Sequence, residues 1–451
     1  LAGDTSYVKR RNIGAQARIK TTQEILMSNE SAALDLATAY NAVSEMYRGT
    51  DLDIHAVCRE QRLKSPIYEG DFITQFGVPT NAGTQQGTRP TFALFKYQDV
   101  MSVLRDGATY TSGFIAEGLG AFFDGLIILA MDGEEHRKVR ALLQPAFMPE
   151  TVNKWRPQID QVIREEYIHP MLPAKKADLM KFGLELPIRI MYALMGFPSD
   201  DPSKYKQYAA WALAIVGGNQ IDPSKMVEAR RQAGIAVKGL YDALAEVVVH
   251  RRQAGSQGDD VVGRLLRAEY EGRTLNDHEV ITFTRSLLPA AGETTTRMFG
   301  SVMTLLLTTP GLLERVKADR SLIAKLMDET TRFEPVATFK VRETAKDVEF
   351  HGVTIPKGSF VQCMVVSANR DEDAFENPDV FDIDRKPKPS FGFGFGPHMC
   401  IGQFVAKVEI SCAVNAILDL LPNLRLDPSQ PLPIISGAQL RGVSRLPVIW
   451  D

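Results

Sequence analysis

Phe393-Gly394-Phe395-Gly396-Pro397-His398-Met399-Cys400-Ile401-Gly402 reads as a tight loop that delivers one cysteine to the start of a helix. Two glycines ahead of the cysteine permit a sharp turn and close backbone approach to a flat ligand. A cysteine just before a helix N-terminus has its thiolate stabilised by free N–H groups and the helix dipole, and thiolate is the form that binds metal. Gly402 leaves space above the first helical turn. The bland alternative is an inert buried cysteine in a glycine-rich turn.

Downstream, Ile401, Phe404, Val405, Val408, Cys412, Ile417 and Leu420 fall on one stripe, which predicts a buried helix starting at Ile401. Upstream, Val348–Phe350, Val353–Ile355 and Phe360–Val366 read as strands, with turns at His351-Gly352 and Pro356-Lys357-Gly358. Earlier still, Asn276 and Glu279 have capping-box spacing and open a helix from Asp277 to Leu307, ended by Thr308-Thr309-Pro310-Gly311. Such a helix would be roughly 45 Å long, enough to cross a domain. Arg285, Pro289, Glu293 and Arg297 in its interior argue against a membrane span, and Pro289 is expected to kink it. From Gly133 to Glu334 the pattern is mostly helical. Before that, Ile73–Val78 and Thr91–Phe95 read as strands around a turn-rich Pro79–Pro90, and residues 1–35 as a polar surface arm.

The spacing FxxGxxxCxG, complete as Phe393, Gly396, Cys400 and Gly402, is similar to the haem-binding loop of the cytochrome P450 family. Three further stretches strengthen the resemblance. Glu329-Thr330-Thr331-Arg332 resembles the family's ExxR pair, with Arg385 as its partner arginine; alone, an i,i+3 charge pair would mean little. Ala290-Ala291-Gly292-Glu293-Thr294-Thr295, mid-helix, resembles the oxygen-activation segment, with Ala291 where glycine is commoner. A buried polar step satisfied by back-bonding is the plain alternative there. His136 and Arg140 resemble the HxxxR helix start, and Arg342 the strand arginine, that with His398 meet haem propionates.

The resemblance implies a mainly α fold with smaller β-sheets (α+β), one domain over residues 1–451, with helix 277–307 over the haem and the loop 391–402 beneath. It implies haem b with Cys400 as axial iron ligand, dioxygen as co-substrate, and a monooxygenase acting on a hydrophobic small molecule by hydroxylation or oxidative demethylation. Glu293 and Thr294 would pass protons, while Glu329, Arg332 and Arg385 would be structural. Phe114, Phe122, Phe123, Ile127, Ala290, Ala291, Val336 and Phe339 lie where the family lines its substrate pocket. With 51 residues after Cys400, no reductase module is expected, and electrons are expected from a ferredoxin and its reductase. Two alternatives share the loop: a peroxide-using or rearranging enzyme, and a haem-binding sensor.

Composition agrees. Of 451 residues, 52 are basic and 55 acidic, giving a net charge of −3 and nothing like a nucleic-acid binder's basic footprint. Four cysteines (Cys58, Cys363, Cys400, Cys412) without CxxC spacing favour a reducing compartment over disulfides or zinc. No apolar run in residues 1–30 is long enough to cross a bilayer. The expected setting is a cytoplasmic monomer.

Overall fold

The computed structural model describes residues 36–78, 89–124, 126–197, 202–218, 223–255, 258 and 260–451. The arm expected over 1–35 and most of the turn-rich stretch lie outside these.

The long helix organises the rest. Helices α1 (Leu36–Arg48), α2 (Tyr97–Arg105), α3 (Gly133–Leu143), α4 (Met180–Met195), α5 (Pro202–Gly217) and α6 (Pro223–Gln253) precede α7 (Asp277–Thr308); α8 (Leu322–Phe333) and α9 (Gln403–Leu420) follow. The Asn276 side chain accepts from Glu279 N at 2.9 Å, and Glu279 Oε2 accepts from Asn276 N at 2.8 Å. This reciprocal cap satisfies two amides that the first turn would otherwise leave bare. Helix α7 packs against α4, α5, α6, α8 and α9, which is why its apolar residues are not confined to one stripe. It remains helical through Pro289. No helix among the described residues is long and apolar enough to cross a membrane.

The strands include β1 (Ile67–Glu69), β2 (Thr91–Leu94), β3 (Tyr110–Thr111), β4 (Lys340–Thr344), β5 (Val348–Phe350), β6 (Val353–Ile355) and β7 (Phe360–Cys363). One sheet runs β1-β2-β7-β4-β3. Only β2 and β7 pair in parallel within it. Val361 sits opposite Arg342, and Cys363 opposite Lys340. Strands β5 and β6 form the predicted hairpin, its turn carried by His351 (φ 52°) and Gly352 (φ 79°).

Three readings change. Ile73–Val78 is not a strand: Phe72–Phe76 is a 3-10 turn, started by Asp71 accepting from Ile73 N at 3.1 Å and stopped by Gly77 at φ 66°. The expected strand Phe360–Val366 ends at Cys363, and Val365–Ala368 turns into a short helix. The last helix starts at Gln403, two residues beyond the predicted Ile401.

Candidate functional site

The loop before α9 closes on itself where Cys400 N donates to Phe393 O at 2.8 Å. Gly394 and Gly396 take φ values of 77° and 68°, which disfavour any side chain. At Gly396 a methyl group would come within 2.3 Å of Leu104 O, so α2 packs against bare backbone there. At Gly402 it would meet only the Cys400 sulfur, 4.0 Å away. The Gly402 and Gln403 amides donate to that sulfur, as the helix-start reading requires. Solvent reaches Cys400, yet burial still raises its thiol pKa, outweighing those amides and the nearby Lys340 and Arg140.

Basic side chains gather beside the cysteine loop. Arg140 Nη2 donates to Met399 O at 2.7 Å, so α3 reaches the loop directly. The rings of His136 and His398 pack at a tilt of 32°, centroids 4.1 Å apart. Burial, with His398 and Arg140 adding to it, pushes the His136 pKa down to about 4. Burial also lowers His398, against the pull of Asp132 at 3.6 Å. Arg342 is buried and donates to Val341 O at 2.8 Å. The buried His136 Nε2 has no hydrogen-bond partner. A cluster of this kind, with an orphaned donor, suits an anionic ligand. Asp132 is a member that sequence reasoning missed. It accepts from Ser112 N at 2.8 and 2.9 Å and so ties the 112–124 loop to the cluster; its place before a helix start was the available signal.

Glu329, Arg332 and Arg385 come together. Arg332 donates to both Glu329 oxygens at 2.8 and 2.7 Å, and Arg385 Nε approaches Glu329 Oε1 at 3.3 Å. Arg332 also holds Asn369 O, Pro378 O and Val380 O, while Asn369 Oδ1 accepts from Phe391 N at 2.9 Å. The triad therefore grips the irregular 369–385 segment, which grips the start of the cysteine loop.

On α7, every residue from Val280 to Leu306 is buried except Ala290, Ala291 and Thr294. Two methyl groups and a hydroxyl thus open a gap in an otherwise sealed helix. Thr294 Oγ1 donates to Ala290 O at 2.9 Å. Glu293 does not share this face. Its carboxylate is buried against Arg297 at 2.6 Å, and Arg297 continues to Ser44 Oγ of α1 at 3.2 Å. Burial pushes Glu293 above the usual carboxylate range, with Arg297 opposing. The acid and the alcohol, adjacent in sequence, therefore point to different surroundings: one residue is about 100° around a helix. A cavity of about 10 Å³, room for roughly one water, adjoins Glu293, Pro289 and Tyr40.

The expected pocket residues divide. Phe114, Phe123, Ile127 and Phe339 are buried, Phe122 and Val336 partly so. Phe114 packs on Phe360 of β7 at 4.9 Å, and the Arg285 guanidinium covers Phe123 at 5.6 Å. Arg285 also bonds Asp124 at 2.9 Å, fastening this loop to α7.

Among the described residues, no group of three or more His, Cys, Asp or Glu side chains is placed to hold a metal ion by itself. A metal at Cys400 would have to bring its other ligands with it, as a porphyrin does. The orphaned His136 Nε2, the Cys400 sulfur with its two amides and the nearby Arg140 and Arg342 fit such a group.

Residues 82–443 match the cytochrome P450 family model. The chain is 31% identical over 362 residues to the mycinamicin IV hydroxylase/epoxidase of Micromonospora griseorubida, covering 79% of this chain and 88% of that one. It is 33% identical to the erythromycin C-12 hydroxylase of Saccharopolyspora erythraea, covering 74% and 83%. The crystal structure of CYP109E1 from Bacillus megaterium in complex with testosterone superposes with a TM-score of 0.75 at 25% identity, covering 89% of this chain and 100% of that one. The chain belongs to the cytochrome P450 family, whose members are monooxygenases that bind haem b and use dioxygen.

Proposed function

We propose that this enzyme, acting as one domain over residues 1–451, hydroxylates or oxidatively demethylates a hydrophobic small organic molecule. Its electrons come from a separate ferredoxin and that protein's reductase. The observation that carries the reading is the accessible trio Ala290, Ala291 and Thr294 in a helix buried elsewhere. The relatives' names add support, because they are hydroxylases and an epoxidase.

Bound haem supplies the redox iron at which dioxygen is activated, with thiolate ligation favouring O–O cleavage. Cys400 would bind the haem iron, and Phe393, Gly396 and Gly402 shape the loop that presents it. His136, Arg140, Arg342 and His398 hold the porphyrin carboxylates. Glu329, Arg332 and Arg385 keep the loop rigid from behind. Ala290 and Ala291 give room beside Thr294, whose Oγ1 carries a proton on the accessible face. Glu293 is the proton source, and it reaches that face only after leaving Arg297 or through a water in the adjoining cavity. Phe114, Phe122, Phe123, Ile127, Val336 and Phe339 make an apolar wall that excludes water from the substrate. We take the enzyme to be a cytoplasmic monomer that binds neither nucleic acid nor membrane; its net charge of −3 is unlike a nucleic-acid binder's.

The test is NADH-driven turnover with a surrogate ferredoxin and reductase, using compounds selected by a haem spin-state shift. Hydroxylated or demethylated product with matching NADH consumption is expected. Turnover supported by peroxide alone would replace this reading with the peroxide-using one.

A further inference from the structure

Lys340 opens β4 directly opposite Cys363 of β7, so its side chain leaves the sheet on the same face as Arg342, two residues along. Val361 and Cys363 share that face and belong to the same buried apolar cluster as Leu104 of α2 and Phe391, at the start of the cysteine loop. The strand therefore aims two cations, one pleat apart, at the surroundings of Cys400.

Their partners differ. Asp132 acts on Arg342 and on His398. It does not act on Lys340: the charges that reach this ammonium are Cys400 and Arg342, and no carboxylate does. No hydrogen bond or ion pair joins the Lys340 side chain to another described residue. Lys340 is partly buried, and that burial lowers its pKa to about 8. An ammonium kept from water without a counter-ion is costly, and a ligand that brings the opposite charge removes the cost.

We propose that Lys340 is a carboxylate-binding residue of the haem site, pairing beside Arg342 with a carboxylate on the porphyrin edge and positioning the cofactor. This rests on Cys400 being the haem ligand. It adds a cation that the familiar set His136, Arg140, Arg342 and His398 does not include. A substrate carboxylate has the same chemistry, but the shared face with Arg342 and the influence of Cys400 favour the porphyrin.

The experiment uses the haem-loaded enzyme and its Lys340→Met, Lys340→Gln and Lys340→Arg variants. Three readouts are taken: haem transfer to excess apomyoglobin, the ferric–ferrous midpoint potential, and spin-state titration with a fatty acid and its matching alcohol. Hydrogen bonds to charged groups contribute about 1.5–3 kcal/mol, so Lys340→Met should release haem roughly tenfold faster or more. Its potential should move negative, because a cation favouring the ferrous state is gone; a merely structural residue would not shift it alongside normal folding. Lys340→Arg should restore both. Lys340→Gln serves if the methionine variant does not fold. Unchanged release and potential in the neutral variants overturn the proposal. So does normal haem release with a lost preference for the acid over the alcohol, which would assign the lysine to substrate. The carbon-monoxide spectrum of the parent protein tests Cys400 separately: a normal thiolate band with unaltered Lys340 variants sinks only this inference.

Discussion

Replacing Glu329 by glutamine should cost far more stability than neutralising an exposed acid on the same helix. Glu329 accepts from Arg332 Nε and Nη2 at 2.8 and 2.7 Å, from Asp382 N at 3.0 Å and from Arg385 Nε at 3.3 Å. The Glu329 and Arg332 side chains are 6% and 3% exposed, so water cannot take over when the charge is removed. Glutamine keeps the size but turns one oxygen into an N–H₂ facing a guanidinium. Breaking a buried pair while leaving one charge uncompensated costs about 3–5 kcal/mol. The Asp328–Lys407 contact is as short, 2.7 Å, but its side chains are 65% and 30% exposed. Asp328→Asn should therefore cost about 0–1 kcal/mol. Urea unfolding of the haem-loaded proteins, followed by circular dichroism at matched protein concentration, compares the two. Glu329→Gln should also lower haem occupancy, because Arg332 holds Asn369 and Asn369 holds the loop at Phe391. A loss below about 1 kcal/mol for Glu329→Gln, with full haem occupancy, would refute the view that this triad anchors the loop.

Two other outcomes follow from the site. Thr294→Ala removes the hydroxyl of the accessible trio on α7 and should raise peroxide release relative to product; unchanged coupling, measured as product per NADH, would count against its proton role. His136 has a folded-state pKa of about 4 against an ordinary value of 6.5, so the unfolded haem-free chain binds a proton that the folded one does not. Stability of the haem-free protein should therefore fall as pH drops from about 6.5 to about 4, and His136→Asn should flatten that part of a urea-midpoint profile; an identical slope in the variant would oppose the assignment.

The parts legible in the sequence are those whose causes are local. The cysteine loop needs glycine at 394 and 396 because the chain takes positive φ there, and residue type alone announces that. The capping box at Asn276 and the hairpin turn at His351-Gly352 are equally local. Phe72, Ile73 and Phe76 misled because each is buried, a pattern that a strand and a tight helical turn produce alike; the Asp71 cap decides it. Glu293 and Thr294 are neighbours in the chain, but which face of α7 meets α1 and which stays open depends on packing from several helices. Nothing in the sequence singles out Lys340. Only the register with Cys363 and the lack of any acid near it give the residue significance.

The most direct measurement is the absorption spectrum of the purified protein, reduced and bound to carbon monoxide. Sulfur ligation from Cys400 predicts the strongly red-shifted Soret band of a thiolate-ligated ferrous haem, abolished in Cys400→His. A protein that takes up haem but shows the same unshifted band before and after that substitution would contradict the assignment of position 400 as the iron ligand.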